Sequence, residues 1–272
     1  MKIIERDWSW WAYFWRVIHR QTIKGIDKWD RNVVNFIIKV LGCKRGDKIL
    51  DLGSGSGEHT RLLAKKGIKC VGVEIAPSLV SHARRQAKKE NVKVKYVIQD
   101  MRKIDYKEEF DYCIMISGTF GFFSDYENFK LLQKIRRALK PEGKVLFDIK
   151  NAKNPSKGGR NWMQIYNGYL LGESKYDSLN HRESGEYMFI DKTGKLNVMK
   201  KDLKRESQRF YTISEIKQML HNAGLKFFDA YCGYKLLPKK FSPKKYTPKK
   251  YIPKKYIPSY KHNITIIAQK PR

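Results

Sequence analysis

The chain has 272 residues, 41% of them hydrophobic, which suits one enlarged globular domain better than two independent ones. Its 57 basic and 27 acidic residues give a net charge of +30, which favours contact with polyanions but also describes a lysine-rich solvated surface. The four cysteines lie far apart, without a CxxC pair or metal-ligand spacing, so we expect reduced thiols and no metal site.

The N-terminal region is rich in aromatic residues and shows mixed helical spacing over 8–41. Its apolar stretch from Trp8 to Ile18 is interrupted by Arg16 and is too short to span a bilayer. Glu5 and Asp7 precede the stretch, so we expect no secretory signal. We therefore expect residues 1–44 to form an aromatic helical cap on a cytoplasmic protein that has no membrane span.

Strand and helix patterns alternate over residues 45–151. The predicted strands are Lys48–Leu52, Lys69–Ile75, Lys93–Ile98, Asp111–Ser117 and Lys144–Ile149. The predicted helices are Glu58–Lys66, Pro77–Glu90 and Tyr126–Leu139, the last stopped by Pro141 and Gly143. Such alternation with short connections predicts an α/β fold, in which a parallel sheet carries helices on both faces.

The alternation stops after residue 151. Residues 152–210 show strand patterns separated by turn residues, which predicts an inserted antiparallel sheet that serves as a lid or substrate subdomain. A helix at Thr212–Ala223 and strands at Leu225–Cys232 and Asn263–Gln269 then return the chain to the core, so 211–272 forms its C-terminal part.

A repeat of four Lys-Lys-aromatic-x-Pro units occupies 239–258. Proline at every fifth position excludes a regular helix and a central strand, so we expect an extended arm. Each unit offers two cations and one ring, which suits RNA or another polyanion. A solvated loop without a ligand is the competing interpretation, because charge runs are commonly just soluble.

A glycine-rich turn joins the first predicted strand to the first predicted helix. Gly53, Gly55 and Gly57 follow a G-x-G-x-G spacing, which allows a ligand to approach the bare backbone. Dinucleotide-binding folds use a similar turn with a G-x-G-x-x-G spacing. Here Asp51 precedes the glycines, and its carboxylate suits a cationic amino acid moiety, whereas it would repel a pyrophosphate.

Acidic residues also end the next two predicted strands. Glu74 lies 23 residues after Asp51, where a carboxylate can accept hydrogen bonds from both hydroxyls of a ribose. Asp100 and Met101 follow the third strand, where the carboxylate could accept from an adenine amino group while Met101 packs on the ring. Three acids at successive strand ends indicate a nucleoside-bearing ligand.

The segments DLGSGSGEHT, VGVEIAPSLV, VIQDMR, FDYCIMISGTFGFF and LKPEGKVLFDIKN resemble, in order, the motifs of class I S-adenosylmethionine-dependent methyltransferases. The later RFYTISEIKQMLHNAGL is similar to the last helix of a broad subgroup. The resemblance implies a Rossmann-like, doubly wound sheet of seven strands in the order 3-2-1-4-5-7-6, with the last strand antiparallel. It also implies S-adenosylmethionine as cofactor.

The same resemblance implies roles for individual residues. It assigns the methionine portion to Asp51 and the glycines, the ribose to Glu74, and adenine to Asp100 and Met101. It places Ser117 near the sulfonium. The complete set expected at the cofactor is Asp51, Gly53, Ser54, Gly55, Gly57, Glu74, Ile75, Asp100, Met101 and Ser117.

The sequence does not identify the methyl acceptor. Ser117-Gly118-Thr119-Phe120 lacks the Asn/Asp-Pro-Pro-aromatic motif of exocyclic-amine methylation, and no Pro-Cys nucleophile is present, so transfer to another O or N atom is expected. A general base is needed only if the nucleophile carries a proton of high pKa. His181 and Tyr211 are candidates, although its place on an Asn-His-Arg turn favours a plain surface role for His181, and a packing role is an equal alternative for Tyr211.

Three functional hypotheses follow. A small-molecule methyltransferase closed by the inserted sheet is slightly favoured, because such a lid suits a pocket that excludes water. An RNA- or ribosome-directed enzyme that uses the repeat arm is the alternative. A non-catalytic binding protein is disfavoured by the intact cofactor motifs. The oligomeric state is left open.

Overall fold

The computed structural model describes residues 25–155, 158–165, 168–194, 196–198, 206–234 and 263–272. The aromatic segment before residue 25 and the repeat arm at 239–258 lie outside the described residues.

The first described helix, α1 (Lys28–Leu41), begins with a reciprocal cap. The Asp27 carboxylate accepts from the amides of Trp29 and Asp30, at 2.7 and 3.0 Å, and Asp30 accepts from the Asp27 amide at 2.9 Å. These bonds satisfy donors that a helix start leaves without intrahelical partners. The helix ends at Gly42, whose left-handed φ of 79° stops propagation.

The core sheet contains seven strands among the described residues. They are β1 (Lys48–Leu52), β2 (Lys69–Glu74), β3 (Val94–Ile98), β4 (Phe110–Met115), β5 (Leu139–Asn151), β11 (Lys226–Cys232) and β12 (Asn263–Gln269). The first five are parallel in the order β3-β2-β1-β4-β5, β12 runs antiparallel beside β5, and β11 pairs with β12. With β11 and β12 counted as the sixth and seventh strands, this confirms the predicted order 3-2-1-4-5-7-6.

Helices cover both faces of this sheet. They are α1, α2 (Glu58–Lys65), α3 (Pro77–Lys89), α4 (Asp125–Ala138) and α5 (Ile213–Asn222), with one 3₁₀ turn at Met101–Lys103. Successive strand residues point to opposite faces, so Ile49 packs with Phe36 of α1 and Leu63 of α2, whereas Leu50 belongs to the cluster of α4 and α5. This arrangement leaves the carboxyl ends of the parallel strands as the edge where ligands bind in such folds.

A second group of strands, here called the inserted sheet, lies between β5 and α5. It comprises β6 (Gly159–Ile165), β7 (Gly168–Asp177), β8 (Arg182–Asp191), β9 (Leu196–Val198) and β10 (Glu206–Tyr211). β6, β7 and β8 pair in antiparallel order, and both β9 and β10 pair with β8. The end of β10 also pairs in parallel with the end of β5, through Phe210 opposite Lys150 and Tyr211 opposite Asn151.

The predicted boundary between the fourth helix and the fifth strand is wrong. No loop separates the two elements, because α4 ends at Ala138 and β5 begins at Leu139, which pairs with Phe110. Pro141 is accommodated where the pairing register with β4 shifts, in line with the confinement of strand prolines to bulges and edges.

The predicted end of the fourth strand is also wrong. β4 stops at Met115, two residues before the predicted end, because Ser117 adopts a left-handed backbone with a φ of 64°. This conformation turns the chain out of the sheet and directs residues 117–123 across the carboxyl edge.

Candidate functional site

The glycine-rich turn lies at the carboxyl edge between β1 and α2. Its three glycines all have left-handed φ angles, of 75°, 55° and 79° at Gly53, Gly55 and Gly57. A Cβ at Gly53 would lie 2.7 Å from Thr119 Cγ2, and one at Gly57 would collide with the Tyr96 hydroxyl. A Cβ at Gly55 would meet no atom within 4 Å. Packing therefore explains the first and third glycines, whereas Gly55 borders open space in which a ligand can lie.

Asp51 lies one residue before the end of β1 and is 3% exposed. Burial raises its pKa to about 7. A smaller effect of His59 lowers the pKa, while Glu74 and Glu58 raise it further. A carboxyl group in this position is half neutral near pH 7, and a cationic ligand would favour its charged form.

Glu74 ends β2 and is 8% exposed. Its Oε2 accepts from the Gly55 amide at 3.0 Å, and its Oε1 accepts from the Ala76 amide at 2.9 Å. Burial raises the pKa of Glu74, although the amides of Ala76, Gly55 and Ile75 oppose this effect. A carboxylate has about four acceptor positions, so the two amides leave capacity for ribose hydroxyls.

Ser54 and Ile75 lie beside these residues. The amides of Gly53 and Ser54 both donate to the Val73 carbonyl, at 2.8 and 3.1 Å, which fixes the glycine turn against β2. Ile75 is half-buried directly after β2. The predicted ribose and methionine contacts are therefore adjacent at one sheet edge.

Asp100 follows β3 and is 6% exposed. Arg102 binds its carboxylate through Nε and Nη2, at 3.0 and 2.9 Å to Oδ2, and also donates its own amide to Oδ1 at 2.9 Å. The same guanidinium donates from Nη1 to Glu127 at 2.6 Å and lies 4.5 Å from the Phe123 ring centroid. The sequence pattern does not indicate this ion pair. An adenine amino group bound to Asp100 would share the carboxylate with Arg102.

Met101 begins the 3₁₀ turn beside Asp100. Its Cε lies 3.5 Å from the position of a Cβ at Gly53. The predicted adenine-packing residue therefore lies next to the glycine turn.

The turn after β4 is held by a buried carboxylate that the sequence analysis missed. Asp148 of β5 is fully buried and accepts from the Gly118 amide at 2.7 Å, from Tyr234 Oη at 2.7 Å and from Asn263 Nδ2 at 2.6 Å. Burial raises the pKa of Asp148, while Tyr234, Gly118 and Asn263 oppose this effect. The sequence does carry a signal, because Asp148 interrupts an otherwise apolar strand. Its partners fix the turn that contains Ser117.

The inserted sheet is hydrogen-bonded to the same turn. Gln208 of β10 donates from Nε2 to the Gly118 carbonyl at 2.6 Å and to the Phe120 carbonyl at 3.3 Å, and the Arg209 amide donates to the Gly121 carbonyl at 2.8 Å. β10 thus continues the sheet beyond the carboxyl end of β4. The inserted sheet is thereby tied to the edge that carries the glycine turn.

Tyr211, one of the two candidate bases, ends β10. It is 1% exposed, donates its hydroxyl to Asp125 Oδ1 at 2.8 Å and accepts from Asn128 Nδ2 at 2.9 Å. Burial and the Asp125 carboxylate raise the pKa of Tyr211 well above its usual range. These contacts favour the packing interpretation over proton transfer.

His181, the other candidate, occupies the turn between β7 and β8 with a left-handed φ of 49°. Its Nδ1 lies 2.8 Å from Tyr176 Oη, and its carbonyl accepts from the Phe210 amide at 2.7 Å. The ring is half-buried on the part of the inserted sheet that joins β10.

No helix in the described ranges is long and apolar enough to cross a membrane. The same ranges contain no cluster of three or more metal-ligating side chains.

A Rossmann-like sheet with this strand order and this glycine turn defines the class I S-adenosylmethionine-dependent methyltransferases. Comparison with known proteins gives the same result: a family described as "Methyltransferase domain" matches residues 49–143.

Relatives extend the match beyond that segment. Carboxy-S-adenosyl-L-methionine synthase from Nautilia profundicola is 28% identical over 184 residues, which cover 66% of this chain and 70% of the relative. Glycine/sarcosine N-methyltransferase from Halorhodospira halochloris is 25% identical over 229 residues, with 77% and 80% covered. Other curated relatives match over about half of their own length.

The fold also matches solved structures. A S-adenosylmethionine-dependent methyltransferase from Clostridium acetobutylicum superposes with a TM-score of 0.70 over 89% of this chain and 92% of that chain, at 18% identity. The chain is thus a class I S-adenosylmethionine-dependent methyltransferase, and S-adenosylmethionine is its cofactor.

Proposed function

We propose that this enzyme transfers the methyl group of S-adenosylmethionine to an O or N atom of a small molecule bound between the carboxyl edge of the core and the inserted sheet. The hydrogen bonds from Gln208 to the Gly118 and Phe120 carbonyls carry this proposal, because they tie the inserted sheet to the turn that contains Ser117. A sheet in that place can close a pocket and exclude water.

The cofactor residues in this proposal are those at the glycine edge. Asp51 and the backbone around Gly55 would hold the methionine portion, and Glu74 with Ile75 would hold the ribose. Asp100 and Met101 would hold adenine. The open space over Gly55, together with carboxylates beside it, suits a ligand that combines a cationic amino acid with a nucleoside.

The cofactor supplies a methyl group bound to a positively charged sulfur, and the neutral thioether that remains after transfer is a good leaving group. The protein must therefore position the acceptor atom in line with that methyl group, and orientation alone can provide much of the rate. An acceptor with a proton of high pKa also needs a base. Of the two candidates we favour His181, because Tyr211 is enclosed by its Asp125 and Asn128 contacts.

A comparison supports the proposal. The glycine/sarcosine relative is named for small amino acid acceptors and aligns with 77% of this chain.

We also propose a cytoplasmic location. The four cysteines are free thiols in the described residues, which suits a reducing compartment.

Transfer of a labelled methyl group tests the acceptor class. The full chain is incubated with tritiated S-adenosylmethionine and a host-cell extract separated into metabolites below 3 kDa, RNA and protein. We expect label in a metabolite that chromatography separates from S-adenosylmethionine itself, with labelling about tenfold slower when Gln208 is replaced by Ala. Label in RNA would contradict the proposal and favour the repeat arm as a substrate-binding element. A carboxylated cofactor without any labelled acceptor would indicate the reaction named for the Nautilia relative instead.

A further inference from the structure

A second concave site lies at the end of the sheet opposite the cofactor. A cavity of about 530 Å³ opens between the amino ends of β2 and β3 and the carboxyl-terminal half of α3. Its floor includes Val92 and Val94. The basic side chains that line it are Lys69, Arg84, Lys88, Lys93 and Lys95. No acidic residue lines this cavity, here called the basic cleft.

The charge of the basic cleft is not neutralised locally. Glu90, which ends α3 nearby, is already bound to Arg61 Nε at 2.9 Å and Lys65 Nζ at 2.8 Å. Within the described ranges, no ion pair involves any of the five cleft cations. Arg84 is held in place by a hydrogen bond from Nη2 to the Tyr96 carbonyl at 2.7 Å. Cations held together without carboxylates suit an anionic ligand.

The basic cleft is separate from the methyl-transfer site. Lys69 begins β2 and Glu74 ends it, so five residue steps separate them, or about 16 Å along the strand. The glycine turn lies at the carboxyl ends of the parallel strands, whereas the basic cleft lies at their amino ends. A ligand in the basic cleft would therefore leave the cofactor residues untouched.

We propose that the basic cleft binds the phosphodiester backbone of a nucleic acid strand. Lysines on two neighbouring strands and one helix surround one open depression that no carboxylate lines, and a chain of phosphates can follow such a row of cations. No aromatic side chain lines the cleft, so contact falls on phosphates and not on stacked bases, and binding should be independent of base sequence. This docking site goes beyond the proposed small-molecule acceptor and does not depend on it.

Binding of a fluorescein-labelled 20-nucleotide oligouridine to the full chain, followed by anisotropy across a salt series, tests the proposal. In the cleft variant, Lys69, Lys88, Lys93 and Lys95 are all replaced by Gln. The control variant carries Gln at Lys39, Lys130, Lys217 and Lys226, which are also exposed and remove the same charge. Both variants keep the 239–258 repeat.

We expect the cleft variant to bind at least tenfold more weakly at 50 mM salt. The slope of log Kd against log salt should fall by about 3, because four phosphate contacts are lost and each contributes about 0.7 on a single strand. The control variant should bind within about twofold of the parent. Both should keep parent affinity for S-adenosylhomocysteine, which shows that they are folded.

Equal losses in the two variants would assign binding to the overall charge and overturn the proposal. Parent-like binding by the cleft variant would also overturn the proposal. Vesicles with 30% anionic lipid provide the last arm: if the cleft variant loses vesicle binding and keeps oligouridine binding, the partner is a membrane surface and the nucleic acid proposal is wrong.

Discussion

The Glu74 carboxylate accepts a hydrogen bond from the Gly55 amide at 3.0 Å, which links the end of β2 to the middle of the glycine turn. This contact places the residue proposed for the ribose beside the glycine that borders open space. A single carboxylate can thus shape the glycine turn and also receive a ligand, which makes Glu74 a sensitive position for substitution.

We expect Glu74→Gln to weaken S-adenosylhomocysteine binding by about 1.5–3 kcal/mol, the usual contribution of hydrogen bonds to a charged acceptor. Calorimetry measures the loss, and a thermal melt checks that the fold is kept. Glu90→Gln is the matched control, because Glu90 follows α3 and, within the described residues, forms its ion pairs with Arg61 and Lys65 of α2. A Kd within twofold of the parent for Glu74→Gln would show that another residue holds the ribose.

The raised pKa of Asp51 predicts that cofactor affinity increases with pH. Its pKa is about 7 in the free protein, so the carboxylate that suits the cofactor ammonium becomes fully charged only above that pH. Affinity should rise between pH 6 and 8 in the parent, whereas Asp51→Asn should bind weakly with a flatter profile. Identical pH profiles for the two proteins would assign the dependence to another group.

The same shift makes a prediction for stability with the opposite sign. A carboxyl group whose folded pKa is raised favours folding when it is protonated, so its contribution is complete below its unfolded pKa of about 3.8 and declines as pH rises towards 7. Unfolding by urea, followed without cofactor from pH 4 to 7.5, should show this decline in the parent and a smaller one in Asp51→Asn. A steeper decline in Asp51→Asn would contradict the assignment.

Tyr234→Phe should reduce the free energy of unfolding by about 1.5–3 kcal/mol, because it removes a hydrogen bond to the buried Asp148 carboxylate and leaves an acceptor underused. Urea unfolding measures the change. Tyr126→Phe is the control, since Tyr126 is 68% exposed and should change stability by less than about 0.5 kcal/mol. Equal effects in the two variants would mean that the Asp148 contacts do not stabilise the turn after β4.

The sequence predicts those parts of the site that depend on local pattern. The glycine spacing, Asp51 at the end of a strand and Glu74 at the end of the next lie close together in the chain, and parallel strands bring such ends to one edge. The Asp148 contacts are different, because Tyr234 and Asn263 lie 86 and 115 residues away. Only the folded chain brings these partners together.

The junction between the inserted sheet and the core also depends on contacts that the sequence pattern does not show. Residues 152–210 were expected as an antiparallel sheet, and β6 to β10 have that form in the described residues. Nothing in the pattern indicates that Phe210 and Tyr211 also pair in parallel with the end of β5. This pairing lies beyond Phe147, the last residue of β5 that pairs with β4.

Gln208→Ala should lower kcat/KM for the acceptor while cofactor affinity stays within twofold, because the substitution loosens the inserted sheet and leaves the glycine turn intact. Two lost hydrogen bonds of about 1 kcal/mol each predict a reduction of roughly tenfold or more. Gln164→Ala, at an exposed position in β6, is the control and should retain full activity. A loss confined to cofactor affinity would place Gln208 in a different role.

Substitution of Gly55 tests the central claim, that the space over this residue holds the cofactor. Gly55→Asn keeps the left-handed backbone accessible, since Asn tolerates this conformation, and directs a side chain into the open space. Gly42→Asn is the matched control, because Gly42 also has a left-handed φ and open surroundings but ends α1.

The deciding measurement is the Kd for S-adenosylhomocysteine of the two variants by calorimetry. We expect Gly55→Asn to bind about 10–100-fold more weakly than the parent, the effect of forcing a side chain into filled space, while Gly42→Asn binds like the parent. Parent-like binding by a folded Gly55→Asn would show that the cofactor does not lie over this glycine.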